Sequence, residues 1–428
     1  MNTPLRLGIA GLGTVGCATV NLLHKHAALI EQRTARPVVV TAVSARDRNK
    51  DRPINTTEPR FVDDALALAD ADDIDCIIEL IGGSEGIAKD LVETALANGK
   101  SVITANKALI AHYGRELAEL AEENQVALTF EAAVAGGIPA VKTLKESLSG
   151  NQCSTVHGIL NGTCNYILSE MKSSGRSFDD VLTEAQEKGY AEADPSFDVD
   201  GIDAAHKIVI LSSLAFGVTP QMNAISIEGI RSITPADIEC ATELGCVVKL
   251  LGCTEQTNAG VTTGVHLCMV PSDAPLANVH GVLNAVSIDG DMVGNLFLEG
   301  PGAGGDATAS AVTADIIDIA RGTYSYPFGV PVATLSAEKI QPVTEQTRWY
   351  LRIDVSDEPG VLADITRLLH GHNISVDVVI QPRHKLSGQA SLIMTTHPTT
   401  AKAMEAVNAS LSVMPTVLNP PQLIRILS

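Results

Sequence analysis

The 428-residue sequence contains few aromatic residues, few cations and no long apolar run. Aromatic residues are 3% of the chain although hydrophobic residues reach 45%, which favours an aliphatic α/β core. Only 30 Lys and Arg oppose 50 Asp and Glu, and the formal charge is −20. Because nucleic acids and anionic membranes attract cationic residues, we expect neither as a partner. No apolar run approaches the roughly 20 residues of a membrane span.

Zinc-binding and secretory features are also missing from the sequence. The eight cysteines form no C-x-x-C pair, and no Cys or His residues have the spacing of a zinc framework, which argues against a zinc-type dehydrogenase. In a long chain such cysteines are usually reduced and buried, and we interpret Cys164 as a packing residue. The N-terminus has neither a cationic region nor a cleavage site. The sequence therefore predicts a cytoplasmic protein.

A glycine-rich motif, G-L-G-T-V-G at residues 11–16, lies between a predicted strand at Leu5–Ala10 and a helix predicted to run to about Ile30. In this context the glycines allow a tight turn and close approach of a pyrophosphate to the helix N-terminus. Alternating strands and helices follow, which predicts a parallel sheet. The further strands are predicted at residues 38–44, 74–81, 101–104 and 126–130. We therefore predict a Rossmann-like nucleotide-binding domain over residues 1–134.

An acidic segment at residues 185–207 is interrupted by glycine and proline. This composition predicts a structured loop that leads into a helix at Ile202–Phe216. On that helix Asp203 and Lys207 are four residues apart and share a face. Carboxylates beside a lysine suit a small substrate with an ammonium group and a hydroxyl. The alternative is a solvated loop with one surface ion pair.

Two further regions follow the first domain. Residues 135–304 are predicted to form an α+β substrate-binding and oligomerisation domain, with helices on one face of a mainly antiparallel or mixed sheet and the other face available for subunit pairing. Residues 326–347 contain several prolines and are predicted to be a connector. Residues 348–428 have the order β-α-β-β-α-β of a ferredoxin-like fold. The segments at 357–365 and 372–375 resemble ACT domains, which bind amino acids.

Five motifs, in order along residues 5–325, resemble those of homoserine dehydrogenases. They are G-L-G-T-V-G at 11–16, A-N-K at 105–107, N-G-T-C-N-Y at 161–166, the spaced residues of 185–207, and G-P-G-A-G at 300–304. The resemblance implies reversible NAD(P)H-dependent reduction of L-aspartate 4-semialdehyde to L-homoserine, in threonine, methionine and isoleucine biosynthesis. It also implies that a helix at about 305–325 returns to the first domain. Because the glycine motif begins at residue 11, we expect a monofunctional enzyme without an N-terminal aspartate kinase.

Two other interpretations stay open at this point. One is a different amino-acid dehydrogenase of the same layout, and the other is an amino-acid sensor with an inactive dehydrogenase body. The retained Lys107, Glu192, Asp203 and Lys207 argue against the sensor. Loss of NADPH absorbance with aspartate semialdehyde would distinguish an enzyme from a sensor.

The resemblance assigns catalytic roles to three residues. Lys207 is expected to be the general acid towards homoserine and the base in reverse. Asp203 would orient it and bind substrate. Lys107 follows a strand at the carboxyl edge of the sheet, where α/β folds bind ligands, and the sequence leaves open which lysine transfers the proton.

The resemblance also assigns substrate, cofactor and cation contacts. Glu192 would accept the substrate ammonium with support from Asp198, and Thr163 and Tyr190 would offer hydroxyl groups. The expected cofactor contacts are Gly11, Gly13, Thr14, Val15, Gly16, Arg46, Gly82, Lys107 and Gly304. The loop at 131–138 resembles a structural Na⁺ site, and a turn without an ion is the alternative. The expected cation ligands are Glu131, Val134, Gly136 and Ile138.

Assembly and regulation follow from the same resemblance. We expect a homodimer or homotetramer, because such middle domains and ACT units pair across two-fold axes. L-Threonine is the expected effector, bound between ACT units near Gly360 and Asn373. The alternative is that the C-terminal domain only promotes oligomerisation.

Cofactor preference is predicted from the end of the second strand. Arg46, rather than a carboxylate, occupies the position that contacts the adenosine ribose, which favours the 2′-phosphate of NADP(H), although Asp47 leaves NAD(H) open. We expect Arg46→Ala to weaken NADPH binding while leaving NADH binding nearly unchanged, as measured by the dissociation constants of both cofactors. Equal weakening of both would contradict the preference for NADP(H).

Overall fold

The computed structural model describes residues 3–54, 59–337, 340–341, 346–381 and 388–427. Its N-terminal part is a six-stranded parallel sheet whose strand order, β3-β2-β1-β4-β5-β6, is that of a Rossmann fold. The strands are β1 (Leu5–Ala10), β2 (Val38–Ser44), β3 (Arg60–Val62), β4 (Cys76–Glu79), β5 (Ser101–Thr104) and β6 (Leu128–Thr129). The predicted nucleotide-binding fold is confirmed, although β4 and β6 are shorter than predicted.

Five helices connect these strands. They are α1 (Thr14–Lys25), α2 (Ala27–Thr34), α3 (Ala67–Asp70), α4 (Ile87–Ala97) and α5 (Lys107–Glu123). The prediction of one helix to about Ile30 is wrong, because the backbone leaves the helical region at His26, with φ −112° and ψ 20°. The chain therefore turns there, and Ile30 lies in α2, where it is buried.

The middle of the chain adds helices and antiparallel strands. The helices are α6 (Ala140–Lys142), α7 (Gly162–Ser174), α8 (Phe178–Glu187), α9 (Ser196–Val199), α10 (Ile202–Phe216), α11 (Pro235–Glu243) and α12 (Gly305–Arg321). The strands are β7 (Cys153–Ile159), β8 (Ser226–Ile227), β9 (Cys246–Thr257), β10 (Gly260–Pro271), β11 (Leu283–Gly290) and β12 (Gly294–Pro301). The sequence did not predict β7, although it joins β11 to β9.

Helix α12 returns to the first sheet, as the sequence led us to expect. Its residues Val312 and Ile316 pack in one cluster with Leu7 and Ile9 of β1. Gly305 lies so close to α1 that a Cβ there would be 3.1 Å from the Thr14 side chain. The N-termini of α1 and α12 are therefore neighbours.

The C-terminal strands and helices complete a ferredoxin-like ACT fold. They are β13 (Gln346–Ser356), α13 (Val361–Gly371), β14 (Val376–Ile380), β15 (Gln389–Thr396), β16 (Thr399–Thr400), α14 (Ala401–Leu411) and β17 (Gln422–Ile426). Part of the predicted connector, residues 338–339 and 342–345, lies outside the described residues.

One continuous sheet joins the middle and C-terminal regions, a connection that the sequence did not indicate. Strand β17 pairs in parallel with β10 at Cys268↔Arg425 and Met269↔Ile426, and antiparallel with β13. The sheet thus contains eleven described strands and is mixed, as predicted. On the face away from α10, residues 275–279 bury Leu276 against Leu251. Subunit pairing through this face stays a prediction.

A buried acidic residue on α11 fastens the ACT fold to the middle region. Asp237 is fully buried, and its Oδ1 lies 2.8 Å from both the Tyr350 hydroxyl and Arg352 Nε. Its Oδ2 accepts the backbone N–H of Thr234 at 2.8 Å and so closes a capping box. One carboxylate therefore serves both a helix end and the inter-region contact.

Replacing Asp237 tests this contact. We expect Asp237→Ala to lower the free energy of unfolding by about 3 kcal/mol. The substitution removes the buried acceptor of the Tyr350 hydroxyl and leaves Arg352 with Asp354 as its remaining partner. Urea unfolding measures the loss. The control Asp364→Ala removes an exposed helix-surface pair with Arg367 and should cost at most about 1 kcal/mol. Similar losses in both variants would contradict this role for Asp237.

Candidate active site

The N-terminus of α10 positions two charged residues as predicted. Gly201 precedes the helix with φ 82°, and a Cβ there would lie 2.6 Å from the carbonyl oxygen of Glu228, so only glycine fits. One turn apart on the buried helix, Lys207 Nζ lies 2.7 Å from Asp203 Oδ2 and 2.6 Å from the carbonyl oxygen of Leu160. The pair is buried, which contradicts the alternative of a surface ion pair.

A second lysine reaches the same aspartate from the nucleotide-binding fold. Lys107 is the first residue of α5, and its Nζ lies 3.2 Å from Asp203 Oδ1. Burial alone would raise the pKa of Asp203, but the charges of Lys207 and Lys107 outweigh it and lower this pKa to about 2. The side chain of Lys107 is 31% exposed and that of Lys207 only 10%. We call Lys107, Asp203 and Lys207 the Lys–Asp–Lys triad.

An amide that the sequence did not single out connects this triad to a second carboxylate. Asn161 Nδ2 donates to Asp198 Oδ1 at 2.8 Å and to Asp203 Oδ2 at 2.9 Å. Burial raises the pKa of Asp198, although Asn161 and both lysines oppose the change. The only sequence signal for Asn161 was its place at the start of N-G-T-C-N-Y.

The other predicted substrate residues lie at the open side. The Thr163 hydroxyl donates to the carbonyl oxygen of Tyr190 at 2.7 Å, and the Tyr190 ring packs edge-on against Tyr166. Tyr190 is 44% exposed. Glu192 is exposed too, and across the described residues no hydrogen bond links its carboxylate to the triad. The structure thus brings Thr163 and Tyr190 together.

A histidine next to Lys207 has a packing role. The His206 ring lies 5.2 Å from the ring of His112 and 5.5 Å from that of Phe197. Burial, reinforced by His112, lowers the pKa of His206 to about 4. The imidazole is therefore neutral near pH 7 and joins α5 to α10 by ring contacts.

The glycine motif has the geometry that a dinucleotide requires. A Cβ on Gly11 would lie 2.4 Å from the carbonyl oxygen of Leu80, and one on Gly16 would lie 2.0 Å from that of Gly11. A Cβ on Gly13 would meet nothing within 4 Å, so the backbone there faces open space at the start of α1. This open space is part of a cavity of about 630 Å³ lined by residues 11–13 and 44–47. The residues fit a nicotinamide dinucleotide.

Three cations and three acids line this cavity. Arg46 and Asp47 follow β2, as the sequence indicated, and the structure adds Lys50, Arg52, Asp63 and Asp64. The Arg52 guanidinium donates to the carbonyl oxygens of Leu12 at 3.2 Å and Asp47 at 2.6 Å. Arg52 therefore ties the segment after β2 to the glycine motif.

The loop after β4 is held by a network that sequence reasoning missed. Fully buried Glu79 accepts the N–H groups of Ile81 at 2.7 Å and Gly82 at 3.0 Å, and the Thr104 hydroxyl at 2.5 Å. Asn106, which caps α5, donates to the carbonyl oxygen of Gly83 at 2.6 Å. The loop containing Gly82 is thereby fixed beside Lys107. Gly304 immediately precedes α12, whose first residue, Gly305, adjoins Thr14 of α1.

The loop at 131–138 is buried at the junction of the two sheets. The Glu131 carboxylate accepts the N–H groups of Val141 at 3.1 Å and Lys142 at 2.7 Å. The Lys142 ammonium pairs instead with Asp315, at 3.2 Å, and with Asp318. Burial, with the charge of Asp315 adding to it, raises the pKa of Glu131 to about 7.

The backbone around Glu131 is tightly packed. Val134 and Ile138 are buried, and Gly136 has φ 53°. A Cβ on Gly136 would lie 2.5 Å from the carbonyl oxygen of Gly302 in the G-P-G-A-G segment. The Glu131 carboxylate and the backbone carbonyl groups of this loop are oxygen ligands of the kind that a hard monovalent cation takes, so the residue types fit one.

Known proteins resemble this chain over its whole length. Family models match for homoserine dehydrogenase at residues 139–317, for its NAD binding domain at 11–131 and for the ACT domain at 349–412. A homoserine dehydrogenase from Neisseria gonorrhoeae is 43% identical, covering 99% of this chain and 98% of its own. The crystal structure of one from Thiobacillus denitrificans gives a TM-score of 0.93 at 42% identity, covering 99% and 98% of the two chains.

A more distant structure was solved with a cofactor. It is a hyperthermophilic archaeal homoserine dehydrogenase in complex with NADPH, with a TM-score of 0.65 and 29% identity over 76% of this chain and 99% of its own. The Rossmann fold, its glycine motif and the cleft define a nicotinamide-dependent oxidoreductase. The chain belongs to the homoserine dehydrogenase family. Its reaction is the reversible reduction of L-aspartate 4-semialdehyde to L-homoserine. No helix in the described ranges is long and apolar enough to cross a membrane.

The raised pKa of Glu131 predicts a pH dependence of stability. Between about pH 4.5 and 7 the folded chain keeps a proton that the unfolded chain has released, so this contribution to stability is lost as pH rises. The free energy of unfolding should fall between pH 5 and pH 8, and in Glu131→Gln this fall should be smaller by up to about 3 kcal/mol. Urea unfolding at both pH values measures the difference. The exposed Glu146→Gln is the matched control. Parallel pH curves for Glu131→Gln and the unchanged protein would contradict the assignment.

Proposed function

We propose that the reaction takes place at the Lys–Asp–Lys triad, with Lys207 as the proton donor to the forming C4 hydroxyl of homoserine. The observation that carries this proposal is the placement of Asp203 between Lys207, at 2.7 Å, and Lys107, at 3.2 Å. Lys207 is the more buried lysine and is fixed on both sides by acceptors. A fixed, buried donor suits general acid catalysis. Lys107, at the cofactor side, stabilises the developing alkoxide by its charge.

The remaining acidic and hydroxyl groups bind the amino-acid end of the substrate. Glu192, exposed at the open side, accepts the substrate ammonium when the loop closes on it. Asp198 contributes a second negative charge from the buried side. The hydroxyl groups of Thr163 and Tyr190 bind the substrate's polar groups.

We assign NADP(H) as the preferred cofactor, with NAD(H) as the weaker one. When bound, the nicotinamide supplies the hydride. The open backbone at Gly13, with Thr14, Val15 and Gly16 in the first turn of α1, provides N–H groups for the pyrophosphate. Arg46, supported by Lys50 in the same cavity, would neutralise a 2′-phosphate.

The 131–138 loop is proposed to hold a structural Na⁺ through Glu131 and the carbonyl groups of Val134, Gly136 and Ile138. Binding requires the ionised carboxylate, so the stabilisation by Na⁺ should be greater at pH 8 than at pH 5. Melting temperatures with NaCl, compared with choline chloride at equal ionic strength, measure it. An equal effect in Glu131→Gln would contradict a site at this carboxylate.

The ACT fold is proposed to bind L-threonine between two copies of the chain. Gly360 and Asn373 lie at opposite ends of the eleven-residue helix α13, about 16 Å apart. One small amino acid cannot touch both in a single protomer, so a shared site needs a homodimer or homotetramer. The free cysteines are suited to the reducing cytoplasm, where we place the enzyme.

Proton transfer is tested by Lys207→Ala. We expect kcat to fall by about 10²- to 10⁴-fold, the usual range for loss of a general acid or base, with NADPH affinity nearly unchanged. Steady-state kinetics in both directions measure the loss. The exposed Lys172→Ala on α7 is the control for removal of a lysine. Near-normal kcat in Lys207→Ala would remove Lys207 from the mechanism.

Threonine regulation is tested in the complete chain, because truncation before β17 would expose the paired edge of β10. We expect millimolar L-threonine to inhibit the unchanged enzyme and Asn373→Ala to require several-fold more. The control Arg367→Ala alters an exposed residue on the same helix. Absence of inhibition in the unchanged enzyme would favour a purely assembling role for the ACT fold.

A further inference from the structure

A single amide group lies between the buried carboxylate of Asp203 and the half-buried carboxylate of Asp198. Asn161 is 5% exposed, and its Nδ2 carries two hydrogens. Acceptors lie in both directions, with Asp198 Oδ1 at 2.8 Å and Asp203 Oδ2 at 2.9 Å. Each hydrogen therefore serves one carboxylate, and the donor capacity of the nitrogen is fully used.

The other end of the same side chain fixes its orientation. Asn161 Oδ1 accepts the backbone N–H of Cys164 at 2.8 Å and caps the N-terminus of α7. The inverted amide would direct its oxygen at two carboxylates and its nitrogen at an N–H group. Only one orientation of Asn161 is therefore chemically acceptable.

Hydrogen bonds to neighbouring segments hold the N-terminus of α7 in place. Cys164 Sγ donates to the carbonyl oxygen of Asp198 at 3.2 Å, which ties the first turn of α7 to α9. The next residue is Asn165, and its Nδ2 donates to the carbonyl oxygens of Gly281 at 3.0 Å and Leu283 at 3.1 Å. The start of α7 is thus a fixed point from which Asn161 reaches both acids.

We propose that Asn161 is a positioning residue of the reaction, which directs Asp203 to the two lysines and Asp198 to the substrate ammonium and keeps both carboxylates ionised. This inference rests on the proposed function of the triad. It assigns a role to the first residue of the N-G-T-C-N-Y motif, which carries no charge.

The charged and titratable groups around this amide explain why a donor is needed. Lys107 faces the acids from α5, Lys207 and His206 face them from α10, and Asp200 and the Cys164 thiol lie nearby. Asp198 and Asp203 repel one another, and Asp203 is buried while Asp198 is half-buried. Removing the shared donor raises the pKa of both carboxyl groups, so the acid side of the pH profile should move to higher pH.

Two substitutions separate this role from helix capping. Asn161→Asp keeps the size of the side chain and an oxygen that caps α7, but it removes the donors. Asn161→Ala removes both functions. Ser177→Ala, which deletes the cap of the adjacent helix α8, is the control for loss of a cap alone.

We expect both Asn161 variants to lower kcat/KM for L-homoserine by about 10- to 100-fold, the equivalent of one hydrogen bond to a charged group. The loss should be greater at pH 6 than at pH 9. The dissociation constant for NADPH, measured by fluorescence, should stay within about twofold, since Asn161 lies outside the proposed cofactor contacts. The melting temperature of Asn161→Asp, relative to that of the unchanged enzyme, should fall as pH rises, because the new carboxylate adjoins Asp198 and Asp203.

The inference is wrong if kcat/KM of both variants depends on pH in the same way as that of the unchanged enzyme and differs only by a constant factor. Asn161 would then only cap α7. A loss confined to Asn161→Ala, with Asn161→Asp active, would have the same meaning. Failure of the proposed function is recognised separately, by near-normal kcat in Lys207→Ala. If Lys207→Ala is inactive and the pH profiles of the Asn161 variants are not shifted, only the positioning role is contradicted.

Discussion

The site depends on one buried carboxylate that has a cation on each side. Asp203 could not remain ionised in the interior without compensation, because burial by itself raises its pKa. Lys207 comes from its own helix, whereas Lys107 comes from the nucleotide-binding fold. The Lys107–Asp203 pair therefore forms only when the two folds are docked, whereas the Lys207–Asp203 pair forms within α10. Docking of the two folds completes the triad.

The same junction is strengthened by groups that have no proposed chemical role. The rings of His206 and His112 join α10 to α5, and helix α12 packs on α1 after the chain has left the first fold. The G-P-G-A-G segment meets the 131–138 loop at Gly136. Each of these contacts restricts rotation of one sheet relative to the other. The cofactor and the two lysines can then keep fixed positions relative to one another between the two sheets.

The C-terminal fold is joined to the enzyme body by backbone pairing as well as by side chains. Two residue pairs connect β17 to β10, and Asp237 receives the Tyr350 and Arg352 side chains of β13. A change in the ACT fold is thereby linked to strand β10, which lies in the same sheet as the strands that support α10. This arrangement gives an effector a physical route to the site, through a shared sheet instead of a flexible linker.

The sequence by itself determined the elements whose signals are local: the glycine turn before α1, the helix at Ile202–Phe216, the spacing of Asp203 and Lys207, and the ferredoxin-like order of the last region. These depend on residues within a few turns of one another. The sequence did not predict the break between α1 and α2 at His26. Tertiary structure alone decided that Lys107 meets Asp203, that Asn161 lies between two acids, and that β17 extends the middle sheet. Such contacts join residues that are distant in the chain, and their geometry is fixed by packing and by the need to neutralise buried charge.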